Sequence, residues 1–228
     1  MNYKDFNISR EHAKHLLNKF DLLKSADFYQ KPISGEFIRV DRVKDFFNAY
    51  LTALKNHDYH FLLFDESFLQ FEYNCNPTDN VTLRYAYYQF PYDFPTYKEY
   101  LMEKGLSFNE VDDTYKYEYY EQALSEAPKK DTFVLIRYDY SEREYSSGVH
   151  SVSHFHFGYS NSIRIPSSVI ITPLLFILFV IKQVYSDLWK SLIEESNFHR
   201  IYKSSKSKCQ NIQMCFFDDL DKKELYLK

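Results

Sequence analysis

Residues 131 to 189 limit the possible folds of this chain more than any other stretch. Three short segments there, DTFVLIRYDY (131–140), SVSHFHFG (151–158) and NSIRIP (161–166), place apolar and ionisable residues at alternating positions. That period of two is the mark of strands with two chemically different faces. Val134, Ile136 and Tyr138 point one way on the first segment, and Arg137 and Asp139 the other. Phe155 and Phe157 oppose His154 and His156 on the second, and Ile163 and Ile165 oppose Arg164 on the third. A helix then opens at Thr172-Pro173, an N-cap hydroxyl followed by proline at the first helical position, and runs to about Trp189. It is apolar nearly all round and belongs in a core. If the three strands are neighbours and turn their aromatic face onto this helix, Arg137, Asp139, His154, His156 and Arg164 gather on one patch, with His150 at its rim.

The rest of the chain adds helices and strands in blocks. Helical spacing of Ala13, Leu16, Leu17, Phe20, Leu22 and Leu23 predicts a helix from Ser9, as N-cap, to about Lys24, with His12 and His15 on one surface face. A second helix is expected over 39–58, through Val43, Phe46, Phe47, Tyr50, Leu51 and Leu54. Segments 59–66, 68–74 and 81–90 are dense in Phe, Leu and Tyr and predict an antiparallel meander. Residues 96–126 read as helical, with a Thr96 cap, a Gly105 stop and an acidic stretch from 109 on. A last helix over 191–203 leads to the basic tract KSSKSK, and 216–228 is a terminal strand or helix. This order predicts an α+β fold, an antiparallel sheet packed on helices, in one domain spanning 1–228. Its parts are a helical region to residue 56, a mainly sheet region over 57–166 with the helical insertion at about 96–126, and C-terminal helices over 167–228.

Composition narrows the function classes. A formal charge of -4 gives no global basic field of the kind that non-specific nucleic-acid binders carry. The 22 Tyr and 21 Phe admit a base-stacking surface, but A/T-rich codon usage accounts for them more simply, since stacking needs only a few placed rings. Three cysteines without C-x-x-C spacing fit a reducing cytosol, and the polar, charged N-terminus is not a signal peptide. The run around Thr172 has about 13 near-consecutive apolar positions, short of the ~20 that cross a bilayer. A cytoplasmic protein without membrane association is therefore expected. No Walker A loop, dinucleotide fingerprint, H-E-x-x-H or G-x-S-x-G occurs.

The histidine patch admits three readings. Cleaving a phosphodiester by attack of the neighbouring 2′-hydroxyl needs a base, an acid and a cation for the charged transition state. Two histidines can share the proton transfers, arginine offers paired donors to phosphate oxygens, and Asp139 can fix one imidazole tautomer. This reading needs no cofactor. A metal ion held by His154, His156 and Asp139 with open positions is the second. The third is an exposed sheet face with ordinary hydrogen bonds and an Arg137–Asp139 ion pair.

The motifs IRYDY, HSVSHFHFG and IRIPSS before an apolar helix resemble an uncharacterised bacterial family, a domain of unknown function. Its signature is R-Y-D, H-x-x-x-H-x-H-x-G and R-I-P, and the similarity is clearest over residues 131–188. A looser likeness joins it to TumE-like toxins of toxin–antitoxin pairs, which also place R-Y-D ahead of histidine-rich strands. The resemblance points to Arg137, Asp139, His150, His154, His156, Gly158 and Arg164. Ser151 stands where the family's pattern has proline, which loosens the turn before the strand and leaves the histidines in place. The resemblance implies a place in two-gene antiphage systems beside a helicase-like protein, with no agreed activity. The chain is then expected to be a toxin-like effector with a metal-independent, RNase-like site acting on RNA or DNA. The alternative is a non-catalytic adaptor or sensor bound to a helicase, nuclease or antitoxin partner, which the acidic 109–126 stretch also suits.

Overall fold

The computed structural model describes residues 1–26, 32–75, 81–107, 113–159 and 163–228. Its elements in chain order are α1 (Tyr3–Lys19), β1 (Leu23–Ala26), α2 (Gly35–Arg42), α3 (Phe46–Asn56), β2 (Phe61–Leu63), β3 (Phe68–Cys75) and β4 (Val81–Tyr88). There follow α4 (Tyr97–Glu103), α5 (Asp113–Ser125), β5 (Leu135–Ser141), β6 (Ser153–Phe157), β7 (Ile163–Pro166) and β8 (Val169–Ile170). The C-terminal part holds α6 (Pro173–Val184), α7 (Ser186–Ile193), α8 (Ser196–Ser207) and β9 (Gln210–Asn211). Strands β1 to β7 form one sheet whose spatial order is the chain order, so each strand neighbours the next in sequence. With antiparallel pairing this is the expected α+β arrangement. The chain divides into two compact units, one built from 1–19, 70–87 and 134–228 and the other from 20–69 and 88–133.

In the first unit, alternation along the strands sorts side chains between two faces. Phe71, Tyr85, Tyr138 and Phe155 are buried on one of them. Phe176 of α6 is fully buried and meets this face, with ring centroids 6.0 Å from Phe71, 5.7 Å from Tyr85 and 6.3 Å from Phe155. Helix α6 is buried on most sides, as its sequence predicts. Tyr138 Oη accepts from the Ile171 backbone N–H at 3.1 Å and bonds Ser153 Oγ at 2.9 Å. Because Ser153 Oγ donates onward to the Val169 carbonyl, the Tyr138 hydroxyl is the donor to Ser153. This buried chain ties β5, β6 and β8 together.

The second unit holds α2–α5, β1 and β2. Phe46 stacks on Phe133 with centroids 3.8 Å apart. Its buried ion pair joins Lys24 Nζ to both carboxylate oxygens of Glu66, at 2.7 and 2.8 Å, and the Tyr97 backbone N–H donates to the same carboxylate.

Several sequence expectations require correction. The first helix begins at Tyr3, because the Asn2 side chain caps the Asp5 N–H. Ser9 lies inside that helix and instead accepts from the Leu174 N–H at the start of α6. Leu23 leaves the helix for β1, which pairs with β2. The helix expected over 39–58 is two helices, since Lys44 adopts φ 57° and Asp45 caps a new start. The 59–66 strand is cut to Phe61–Leu63, and the 131–140 strand begins only at Leu135. The helix expected to reach Trp189 stops at Val184, where Tyr185 (φ −110°, ψ 60°) breaks the ladder before α7. The last helix is displaced to Ser196–Ser207 and absorbs most of the basic tract. The Thr96 cap exists as a capping box with Glu99, and Gly105 stops α4 at φ 70°. Residues 160–162, between β6 and β7, lie outside the described residues, and Gly158 before them takes φ 78°. No helix among the described residues is long and apolar enough to cross a membrane.

Candidate active site

On the sheet face opposite Phe155, register dictates the site. Asp139 pairs with His154 and Arg137 with His156 across β5–β6, and His156 pairs with Arg164 across β6–β7. Side chains directly opposite in an antiparallel pair share a face, so the alternation of β5 and β6 brings their ionisable groups together.

Asp139 is the hub. Its Oδ2 accepts from Arg137 Nε at 2.9 Å, with Arg137 Nη2 also at 2.9 Å, and its Oδ1 accepts from Arg84 Nε at 3.3 Å. His156 Nε2 lies 3.2 Å from Oδ2 and 2.9 Å from His154 Nε2. His154 Nδ1 is 2.8 Å from the Ser151 carbonyl oxygen. A carbonyl only accepts, so Nδ1 of His154 carries the hydrogen and its Nε2 presents a lone pair to His156. The result is a carboxylate, an imidazole and a second imidazole in series, with a guanidinium on each carboxylate oxygen.

Burial sets the electrostatics. The two histidines are only 2% and 3% exposed, although the sequence places them on the ionisable face. That burial, with the neighbouring His156 ring, lowers the His154 pKa to about 4, against a smaller upward pull from the Ser151 carbonyl and Asp139. Burial alone would raise Asp139. The His156 hydrogen bond and the charges of Arg137 and Arg84 outweigh it and hold the carboxyl well below the ordinary range. Burial also raises Glu72 on β3, despite the opposing charge of Arg84.

Four of the sequence-selected residues therefore converge: Arg137, Asp139, His154 and His156. His150 is adjacent, its ring 5.0 Å from that of His154, and its Nδ1 is buried with no hydrogen-bond partner among the described residues. Arg164 is in register with His156 but exposed, and it borders a cleft with Ser151, Pro166 and Glu224. Gly158 lies just past the end of β6 and supplies its turn. Sequence reasoning missed Arg84 and Glu72. The signal was present, because Arg84 alternates with Leu83 and Tyr85, and Glu72 with Phe71.

Asp139, His154 and His156 each offer one ligand atom to a common point, all three within 4.8 Å of one another. The cluster can hold a cation, or it can pass a proton along the carboxylate–imidazole–imidazole series.

No curated protein and no solved structure matches the chain. A family model described as an uncharacterized conserved protein, DUF2290, matches residues 27–221, and this span includes every residue of the cluster. The chain belongs to that family.

Proposed function

We propose that the chain is a phosphodiester-directed enzyme, acting as the toxin-like effector of a bacterial antiphage or toxin–antitoxin-like pair. The observation that carries this reading is the buried Asp139–His156–His154 series with guanidiniums at both carboxylate oxygens. Such a set supplies what cleavage needs. A new bond forms from a 2′-oxygen to phosphorus and the bond to the 5′-oxygen breaks. One proton leaves the 2′-hydroxyl and one reaches the departing oxygen. Imidazoles suit both transfers, and arginine suits the charge that builds on phosphate. Arg164, exposed beside the cleft, would meet the substrate backbone.

The experiment is expression of the chain in bacteria, with growth and the integrity of RNA and DNA followed over time. Arrest with cleavage is expected from the wild type. His154→Ala and His156→Ala, recovered at wild-type soluble levels, should abolish both effects. Toxicity or defence unchanged in the two variants eliminates the assignment.

A second reading is favoured by one observation. The paired imidazoles are nearly sealed, and His156 Nδ1 is buried without a partner among the described residues. This suits a non-catalytic subunit held by a helicase-like or antitoxin protein encoded nearby. Co-purification with the neighbouring gene product, and no cleavage by either protein's nucleic-acid-bound form, would select it.

A further inference from the structure

We infer that Asp139, His154 and His156 form a binding site for one first-row divalent transition-metal ion, held by Nε2 of each imidazole and Oδ2 of the carboxylate. It rests on geometry alone and is an alternative to the proton transfers proposed above, because an imidazole whose Nε2 binds an ion cannot exchange a proton there.

Three electron-pair donors converge on one buried point. His154 presents the Nε2 lone pair because its Nδ1–H is committed to the Ser151 carbonyl. Asp139 Oδ2 is anionic, and His156 Nε2 sits between the two, 2.9 Å from one and 3.2 Å from the other. Only a positively charged or hydrogen-bearing centre reconciles them. A single hydrogen on His156 must be divided between two acceptors, whereas a metal ion satisfies all three.

The spacing fits a metal. Donors at ~2.0–2.2 Å from an ion lie about 2.9 Å apart at right angles and about 3.4 Å apart in a tetrahedron. Two edges of the triangle already have such lengths, and the third donor pair lies within 4.8 Å, closed by a turn of the Asp139 carboxylate. Outer partners are also present: Ser151 orients His154, and Arg137 orients Asp139. Such contacts fix ring and carboxylate orientation in metal sites. Two imidazoles and one carboxylate select zinc, iron, cobalt or nickel over magnesium and calcium, which prefer oxygen donors. Three protein ligands leave positions open. With Arg137 and Arg84 beside it, a dication there carries an excess of positive charge, which an anionic phosphodiester would balance.

The test uses the full-length chain, stripped with a chelator and titrated with cobalt chloride. Visible absorption and metal content after gel filtration are the readouts. One cobalt per chain is expected, without the intense band of thiolate ligation, displaced by zinc and not by excess magnesium. Asp139→Asn and His156→Asn, checked for native structure by circular dichroism, should weaken binding by ~10-fold or more. The His12→Asn/His15→Asn double variant, on the exposed pair of α1, should leave it unchanged. If His156→Asn does not fold, the wild-type thermal midpoint decides, rising when zinc chloride is added to stripped protein. A folded wild type that binds no cobalt and shows no midpoint shift overturns the inference, as does unchanged affinity in Asp139→Asn. Cleavage assays on the same samples separate the two proposals. Cleavage that survives complete stripping supports the proton-transfer reading, and the cobalt titration alone decides the ion. Metal bound without cleavage of RNA or DNA spares the ion and removes the enzyme.

Discussion

Asp139→Asn is the perturbation with the most to say about how the site is built. The substitution keeps shape and one acceptor oxygen but removes the charge that two guanidiniums and His156 address. Breaking a buried ion pair by deleting one partner costs about 3–5 kcal/mol. The side chains of Asp139 and Arg137 keep 15% and 19% exposure, so water relieves part of this and about 2–4 kcal/mol is expected. Arg84 contributes little of it, because its side chain is 59% exposed. The assay is urea unfolding in the presence of a chelator, so that no metal enters. With a slope of ~3 kcal/mol per molar, the midpoint should fall by about 1 M. Arg84→Gln should cost under ~1 kcal/mol. Arg137→Gln combined with Asp139→Asn should show a coupling of about 1–3 kcal/mol. A loss below ~0.5 kcal/mol for Asp139→Asn, or equal losses for Arg84→Gln and Arg137→Gln, would refute this electrostatic account of the cluster.

Two further outcomes test burial within each unit. Phe176→Ala removes a fully buried ring wedged among Phe71, Tyr85 and Phe155 and should cost about 3–5 kcal/mol in the same unfolding assay, with a loss under ~1 kcal/mol contradicting the packing. At alkaline pH, burial raises Tyr92 to about 12 and pushes Tyr50 and Tyr85 well above the ordinary value. A phenol whose folded pKa lies above its unfolded value of about 10 contributes stability present below that pH and lost as pH rises through the folded pKa. Phenolate absorbance of the buried tyrosines should therefore appear together with loss of circular dichroism above pH ~10, and titration of every tyrosine near pH ~10 in an intact fold would count against it.

The strand faces around the site were legible because alternation is local. Ile136 and Tyr138 against Arg137 and Asp139, and Phe155 against His154 and His156, follow from a period of two alone. What stands over the second face is set by tertiary structure, so the near-complete burial of His154 and His156 was not readable from strand pattern. Arg84 and Glu72 were overlooked for a related reason. They reach the site only because β4 pairs with β5, with β3 on the far side of β4, and 46 residues of chain separate β4 from β5. The helix breaks at Lys44 and Tyr185 also escaped, since neither glycine nor proline marks them and apolar spacing continues across each. Family membership then supplied a grouping without an activity, so chemistry has to come from the cluster itself.

Cleavage of end-labelled RNA by the purified chain, compared with its His156→Asn variant under identical conditions, tests that chemistry most directly. The wild type should cut, and the folded variant should be slowed by ~100-fold or more, as expected for loss of a general acid–base group. Equal rates for the two, or a wild type that cuts no RNA with or without added zinc, would contradict the account.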